Sequence, residues 1–426
     1  MKIKNNNLYI ENCNTVDLAK KYGTPLYVIS ENTILKKIQE IKKEFLDKYY
    51  NTRAAYAGKA FLTLFMCKLI EREGLSLDVV SGGELYTAIK ADFPGERIEF
   101  NGNNKSIEEI EMALDYNVGK FIVDNIYELD LLLELSKSKN KTINILFRIT
   151  PGVNSQTHKY ITTGSKDSKF GIPLQDDIIF PAVKKAIDSK WINFEGFHYH
   201  VGSQLHDNTS HLKALYISMN LIKNVKDKFN YQVKELNIGG GFGIRYTDKD
   251  ITKPISYFVD PIMSKIEGFC VKEKINIPSV VIEPGRFIVG EAGIQLYTVG
   301  SIKKIPGIKT YVSVDGGMTD NIRPGLYNAD YKCLLANRAK EDKINKFTIS
   351  GKCCESTDIL IEEAKLPNPK TGDILAIFST GAYGYSMANN YNKLQIPAVV
   401  VVTDSVSKII VKRQSYDDII RREVLT

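Results

Sequence analysis

The chain has 426 residues, 43% apolar and 25% charged, with a formal net charge of +7. That length suggests two domains, one of them large, and the composition is that of a soluble globular protein. The Lys and Arg excess is interleaved with 50 acidic residues, as in KKIQEIKKE at 36–44, which excludes a basic nucleic-acid stripe, and no apolar run reaches the roughly 18 residues of a membrane span.

The first residues, MKIKNNNLYIEN, lack the apolar core of a signal peptide, which predicts a cytoplasmic protein. PLYVIS at 25–30 is an early β-like run. From residue 52 apolar strand-like runs alternate with amphipathic helical stretches. Predicted strands are TRAAYA at 52–57, Leu75–Ser81, RIEFNG at 97–102 and KFIVDN at 120–125. They continue with INILFRIT at 143–150, FEGFHYHV at 194–201, ELNIGG at 235–240 and SVVIEP at 279–284. Helix-like stretches at 61–73, 106–117 and 126–137 lie between them, and Ser106 followed by Glu109 predicts a capping box. Eight such units over about 250 residues predict an α/β fold, a (β/α)8 barrel spanning 34–291. An open doubly wound sheet is the competing reading, but its dinucleotide-binding form needs a GxGxxG turn after the first strand, which is missing. Beyond 291, short β-rich runs at 294–305, 310–317, 373–379 and 398–413 predict a mainly β barrel or sandwich domain, residues 292–426 completed by 1–33. The six cysteines form neither a disulfide framework nor a CxxC metal pattern.

Each predicted barrel strand runs out into polar or glycine-rich residues: Lys59, Ser81 with two glycines, Asn101, Asp124, Arg148, His198 with His200, Gly239–Gly241, and Glu283 with Arg286. Loops at the C-terminal ends of parallel barrel strands build active sites, so these groups converge on one pocket. Lys59 follows an apolar strand directly; desolvation there favours a neutral amine able to condense with an aldehyde cofactor, an exposed rim lysine being the plainer alternative. Three consecutive glycines exceed the need of a tight turn and favour close approach of backbone N–H groups to a phosphate. His198 and His200 fall on one side of a strand. They read as core histidines, as a stacking partner for a planar ring, or as metal ligands that lack a suitably spaced third. Glu283 and Arg286 can pair with each other or, given a pyridine cofactor, keep its nitrogen protonated and clamp a substrate carboxylate. Cys354 beside Glu355 offers a proton donor and an amine-recognising carboxylate, against the commoner case of an inert buried thiol.

Taken together, HKYITTGSKDSKFGI at 158–172, HYHVGSQ at 198–204, the glycine triplet, EPGR at 283–286, DNIRPGLY at 320–327, GKCCES at 351–356 and GAYGYSM at 381–387 resemble one family. It is that of the diaminopimelate decarboxylases, among the alanine-racemase-like (fold type III) pyridoxal-phosphate enzymes, and the resemblance covers nearly the whole chain. It implies that pyridoxal 5′-phosphate is carried on Lys59, that His200 stacks on its ring and that Glu283 contacts its pyridine nitrogen. Asp78, Ser203, Gly240, Gly241, Gly285, Arg286 and Tyr383 complete the implied cofactor set. Arg286, Arg323 and Tyr327 would hold the substrate's distal carboxylate and Glu355 its distal amine, with Tyr383 also touching substrate, while Cys354 would return a proton to the α-carbon. In the family Cys354 and Glu355 act from the partner subunit, so a homodimer is implied. The implied reaction converts meso-2,6-diaminopimelate, at its D-centre, to L-lysine and CO2. The chain departs from the family where YAGKAF replaces YALKAN, and where KLQIPAVVV after Asn392 replaces an arginine–proline-rich run. The alternatives are a fold type III decarboxylase of ornithine, arginine or carboxynorspermidine, which lack the full set of Arg286, Arg323 and Glu355, and a non-catalytic cofactor-binding relative, against which Lys59, Cys354 and Glu355 speak. Alanine racemases present an arginine where Glu283 stands.

Overall fold

A computed structural model describes residues 1–153 and 167–425. Residues 158–166 of the HKYITTGSKDSKFGI motif lie outside the described residues. The chain divides into two compact units: Lys37–Ile244 with Thr252–Phe287, and Met1–Lys36 with Arg245–Ile251 and Ile288–Thr426.

The first of these is a (β/α)8 barrel. Its strands are β1 (Thr52–Ala57), β2 (Ser76–Val79), β3 (Ile98–Phe100), β4 (Lys120–Val123), β5 (Ile143–Thr150), β6 (Ile192–His198), β7 (Glu235–Asn237) and β8 (Ser279–Ile282). Each pairs in parallel with the next, and β8 pairs with β1, so the sheet closes. Every residue of β2, β4 and β8 is buried, as a sheet covered by helices outside and filled within requires. Side-chain caps turn the chain sharply at the strand ends. Thr63, Ser81, Ser106 and Asn125 each accept the backbone N–H three residues on, and Ser106 with Glu109 forms the predicted box.

The lumen is charged where an apolar filling is usual. Lys120 on β4 reaches Glu235 on β7 at 2.7 Å. Arg53 on β1 reaches Glu235 at 2.7 Å and Glu99 on β3 at 3.0 Å. These pairs join non-adjacent strands across the interior, and each carboxylate is buried, so it depends on its cation.

The second unit is built on a mixed nine-stranded sheet. The 13-residue strand Gly293–Ile305 pairs antiparallel with Lys309–Val314, Ile374–Phe378 and Leu26–Ser30. Leu26–Ser30 also pairs in parallel with Ala398–Thr403, so the N-terminal segment completes a sheet otherwise made after residue 292. Leu26, Val28, Ile294, Leu296 and Val400 enter its apolar core; the alternate positions Tyr27, Gln295 and Tyr297 face the other way. No helix among the described residues is long and apolar enough to cross a membrane.

Candidate active site

Lys59 sits in the single turn Gly58–Ala60 that follows β1. The Tyr56 hydroxyl holds this turn by donating to the Phe61 carbonyl at 2.7 Å. Gly285 lets the chain after β8 press against it, since a Cβ there would stand 3.0 Å from that of Ala57 and 3.1 Å from that of Ala60. The Lys59 side chain is exposed, so the desolvation expected of a strand-end lysine is not supplied by the chain. Its amine works through charge instead, and its field bears on Asp78, Glu84, His198, His200 and Glu283.

Two buried carboxyls at this mouth are driven in opposite directions. Burial opposes ionisation of Glu283, but His198, Lys59 and His200 hold its carboxyl well below the usual range. Its Oε1 accepts from Nδ2 of Asn237 (2.9 Å) and of Asn101 (3.3 Å), and His198 Nε2 lies 3.1 Å from both oxygens. Burial lowers the basicity of His198, so this contact is a hydrogen bond from a neutral imidazole. Asp78 on β2 goes the other way: burial, then the charge of Glu283, raise it well above the usual range. Asn101 Nδ2 donates to its Oδ1 at 2.7 Å. The mouth therefore sets a carboxyl that ionises readily beside one that holds its proton more tightly than usual. An acceptor without a proton of its own, buried beside a Lys amine, is the partner a protonated pyridine nitrogen needs.

His200 is half-buried, and burial, then Lys59 and Arg148, keep its basicity well below the histidine norm. Gly240 N–H donates to its Nδ1 at 3.3 Å, which places the neutral ring's proton on Nε2. A flat uncharged ring suits stacking. The glycine loop beside it fits an anion. The carbonyl of Gly239 accepts the Glu283 N–H (2.8 Å), that of Gly240 the His211 Nε2 (3.0 Å) and that of Gly241 the Leu205 N–H (2.9 Å). With all three oxygens turned into the protein, the open side of the loop has none left to repel a phosphate. A Cβ at Gly240 would stand 2.1 Å from the Glu283 carbonyl, and one at Gly241 2.3 Å from that of Gly202. Arg286 donates to Ser203 Oγ at 2.9 Å, which sets two more anion partners side by side. Pyridoxal phosphate, with one cationic nitrogen and one phosphate, matches this donor set.

The remaining predicted residues belong to the β unit. Arg323 opens the short helix Arg323–Tyr327, with half-buried Tyr327 at its end. Its buried guanidinium lies 4.9 Å from the Tyr246 ring centre and 5.6 Å from that of Tyr331, and donates to the Tyr331 hydroxyl. Desolvation works against its charge, and Tyr246, Tyr331 and Tyr383 more than offset this. Tyr383 is half-buried, with φ of +60°.

Cys354 and Glu355 occupy the turn between the strands Asn345–Ser350 and Ile359–Leu366. The Cys354 side chain is exposed, and its N–H donates to Asn392 Oδ1 at 2.7 Å. Glu355 accepts from the Thr357 N–H (3.2 Å) and Oγ1 (3.1 Å), which lowers its carboxyl below the usual range. Asp358, buried beneath the turn, accepts the N–H of Met318 (2.6 Å) and of Cys353 (2.8 Å). One carboxylate thereby ties the Cys354 turn to the loop that leads into Arg323.

The sequence reading does not single out Asn237, His211 or Asp358. Asn237 carries a faint signal, since it and Glu235 are polar residues alternating with the apolar Leu236 and Ile238. His211 sits in the first turn of a long helix, Thr209–Phe229, and Asp358 in a polar turn, and nothing local sets either apart.

Comparison with known proteins gives one picture. The family model described as the pyridoxal binding domain of pyridoxal-dependent decarboxylases matches residues 31–290. The diaminopimelate decarboxylase of Bacillus subtilis (strain 168) is 48% identical, over 96% of this chain and 93% of its own length. That of Staphylococcus aureus (strain COL) is 43% identical, over 98% of this chain and 97% of its own. The crystal structure of diaminopimelate decarboxylase from M. jannaschii in complex with L-lysine is 36% identical, with a TM-score of 0.93 over 100% of this chain and 98% of that one.

Proposed function

The chain belongs to the diaminopimelate decarboxylases, a family of pyridoxal-dependent decarboxylases, and from that premise we propose how its residues divide the work. The reaction removes CO2 from the D-configured centre of meso-2,6-diaminopimelate and leaves L-lysine. When bound, pyridoxal phosphate supplies an electron sink for the carbanion that departing CO2 leaves.

Lys59 holds the cofactor through its ε-amine. Glu283, ionised, accepts from the pyridine nitrogen and keeps the proton there, with Asp78 beside it. His200 covers the ring face. Gly240, Gly241, Ser203, the backbone at Gly285 and Arg286, and Tyr383 bind the phosphate. Arg286, Arg323 and Tyr327 clamp the distal carboxylate of the substrate, Tyr383 also touches the substrate, and Glu355 takes its distal amine. That double grip fixes which end of the substrate reacts and how its carboxylate is turned, which is where most of the rate gain resides. Cys354 then delivers a proton to the α-carbon. Cys354 and Glu355 serve the site of a partner subunit, so the working unit is a homodimer, acting in the cytoplasm.

The observation that supports this reading best is the buried Glu283 carboxylate, held by Asn237, Asn101 and His198 at the mouth where Lys59 and the glycine loop also stand. The test is CO2 release from resolved diaminopimelate stereoisomers, with lysine identified as product and ornithine and arginine as competitors. CO2 from the meso isomer alone is expected. Equal turnover of ornithine or arginine, or none of the meso isomer, would overturn the assignment.

A further inference from the structure

Glu283 is the upper end of a hydrogen-bonded column that continues down through the barrel, and the middle of that column is Asn237. This residue ends β7 and is fully buried. Its Nδ2 donates to Glu283 Oε1 (2.9 Å) and to Glu99 Oε2 (2.9 Å), while its Oδ1 accepts the N–H of Gly239 (2.9 Å). One amide thus touches the carboxylate at the mouth, the first glycine of the anion loop, and the charge network below. The three neighbours also fix which way the amide points. Flipped, it would set an oxygen against two carboxylates and an NH2 group against an N–H, three repulsive contacts in place of three hydrogen bonds.

We propose that Asn237 is a positioning residue for the decarboxylation: its two amide protons aim Glu283 at the cofactor nitrogen while its oxygen shapes the phosphate loop, so that one side chain sets both ends of the cofactor in register. This rests on the assignment of Glu283 to the pyridine nitrogen made above. No other side chain supplies the same three contacts. Leu would strand two buried carboxylates and a buried N–H, and Asp, acceptor-only when ionised, would bring a third carboxylate against Glu99 and Glu283.

The charged and titratable groups that bear on Glu283 are His198 from β6 and His200 beyond it, Lys59 after β1, Asp78 from β2, Glu99 from β3 and Arg148 from β5. Glu99 is itself faced by Arg53, Glu235 and Lys120. In that setting, loss of the amide donor makes the ionised form of Glu283 harder to keep, and an added carboxylate makes it harder still.

The experiment compares Asn237→Ala, Asn237→Asp, Glu99→Gln and the double variant Asn237→Asp/Glu99→Gln as holoenzymes. It reads the cofactor dissociation constant, the pH dependence of the bound cofactor's visible absorption, kcat against KM, and the thermal midpoint. Asn237→Asp is expected to weaken cofactor binding about tenfold and to move the acid limb of kcat and of the absorption transition up by about one pH unit. Asn237→Ala is expected to move both in the same direction by less. The double variant restores the original number of carboxylates and is expected to regain at least half of the shift. A purely structural role would lower the thermal midpoint, leave the pH limbs in place and make the double variant additive; either unmoved limbs in both Asn237 variants or additivity overturns the proposal. Glu283→Gln separates this from the reading beneath it. If that change leaves affinity and pH profile intact, the role of Glu283 itself falls. If it perturbs them and the Asn237 variants do not, only the present inference falls.

Discussion

Replacing Lys59 by Ala removes the side chain beyond Cβ, and with it the amine. Covalent attachment and turnover are expected to vanish together: borohydride should leave no label on the loaded protein, and CO2 release should drop to background. Substantial residual activity would refute the assignment. Arg323 is held as a cation by Tyr246 and Tyr331, so the chain has already met the cost of burying it. Arg323→Ala is expected to raise KM tenfold to a hundredfold, about the worth of one charge-assisted hydrogen bond, with a smaller change in kcat. An unchanged KM would move the distal carboxylate elsewhere. Asp78 gives a stability test. Its carboxyl is raised by burial and by Glu283, so the folded chain keeps a proton that the unfolded chain releases. Its contribution to stability therefore falls as pH climbs from the ordinary carboxylate range toward its folded value. Glu283, depressed, behaves oppositely and loses its contribution only as pH falls below that range. Asp78→Asn keeps the acceptor for Asn101 and is expected to flatten the decline, raising the melting temperature of cofactor-free protein at pH 8 by a few degrees. Calorimetry showing a lower midpoint at every pH would sink this account.

Among the elements, Gly240 in the loop after β7 contrasts with Gly83 in the helix that follows β2. At Gly240 a methyl would meet the Glu283 carbonyl at 2.1 Å, a backbone atom that cannot step aside. Gly240→Ala is expected to cost about 2–4 kcal/mol of stability and at least tenfold in cofactor affinity. At Gly83, in the helix Gly82–Lys90, the nearest atom is the Ser81 hydroxyl at 3.8 Å. Gly83→Ala is expected to leave binding unchanged and stability equal or higher by about 0.5–1 kcal/mol. Denaturant titration of both variants checks the pair, and equal losses would show that close approach does not matter at Gly240.

The same scale shows what the sequence could reveal. The barrel strands and the Ser106–Glu109 cap are legible because alternation and capping are set within a few residues. The glycine triplet and the EPGR turn are legible because they sit at strand ends. Asn237 is not, since its partners Glu283 and Glu99 are 46 and 138 residues away and meet it only when the barrel closes. The exposure of Lys59 is likewise a property of the folded mouth, and the desolvation argument made from its strand position does not anticipate it.

For the molecule as a whole, the proposal divides catalysis between Lys59 in the barrel and Cys354 in the β unit of a second copy. Lys59→Ala and Cys354→Ala chains, each inactive alone, are expected to complement each other when co-expressed. Random pairing makes half the dimers mixed, with one intact site of two, so about a quarter of wild-type activity should return. No recovery would place both residues in one chain's own site.

The three inward-turned carbonyls of the Gly239–Gly241 loop bear on how a new enzyme molecule becomes active. Protein atoms alone hold those three carbonyls in place, so the loop is shaped for a phosphate by the fold itself. Binding then loses little free energy to ordering the loop, at first loading and at any later reloading alike.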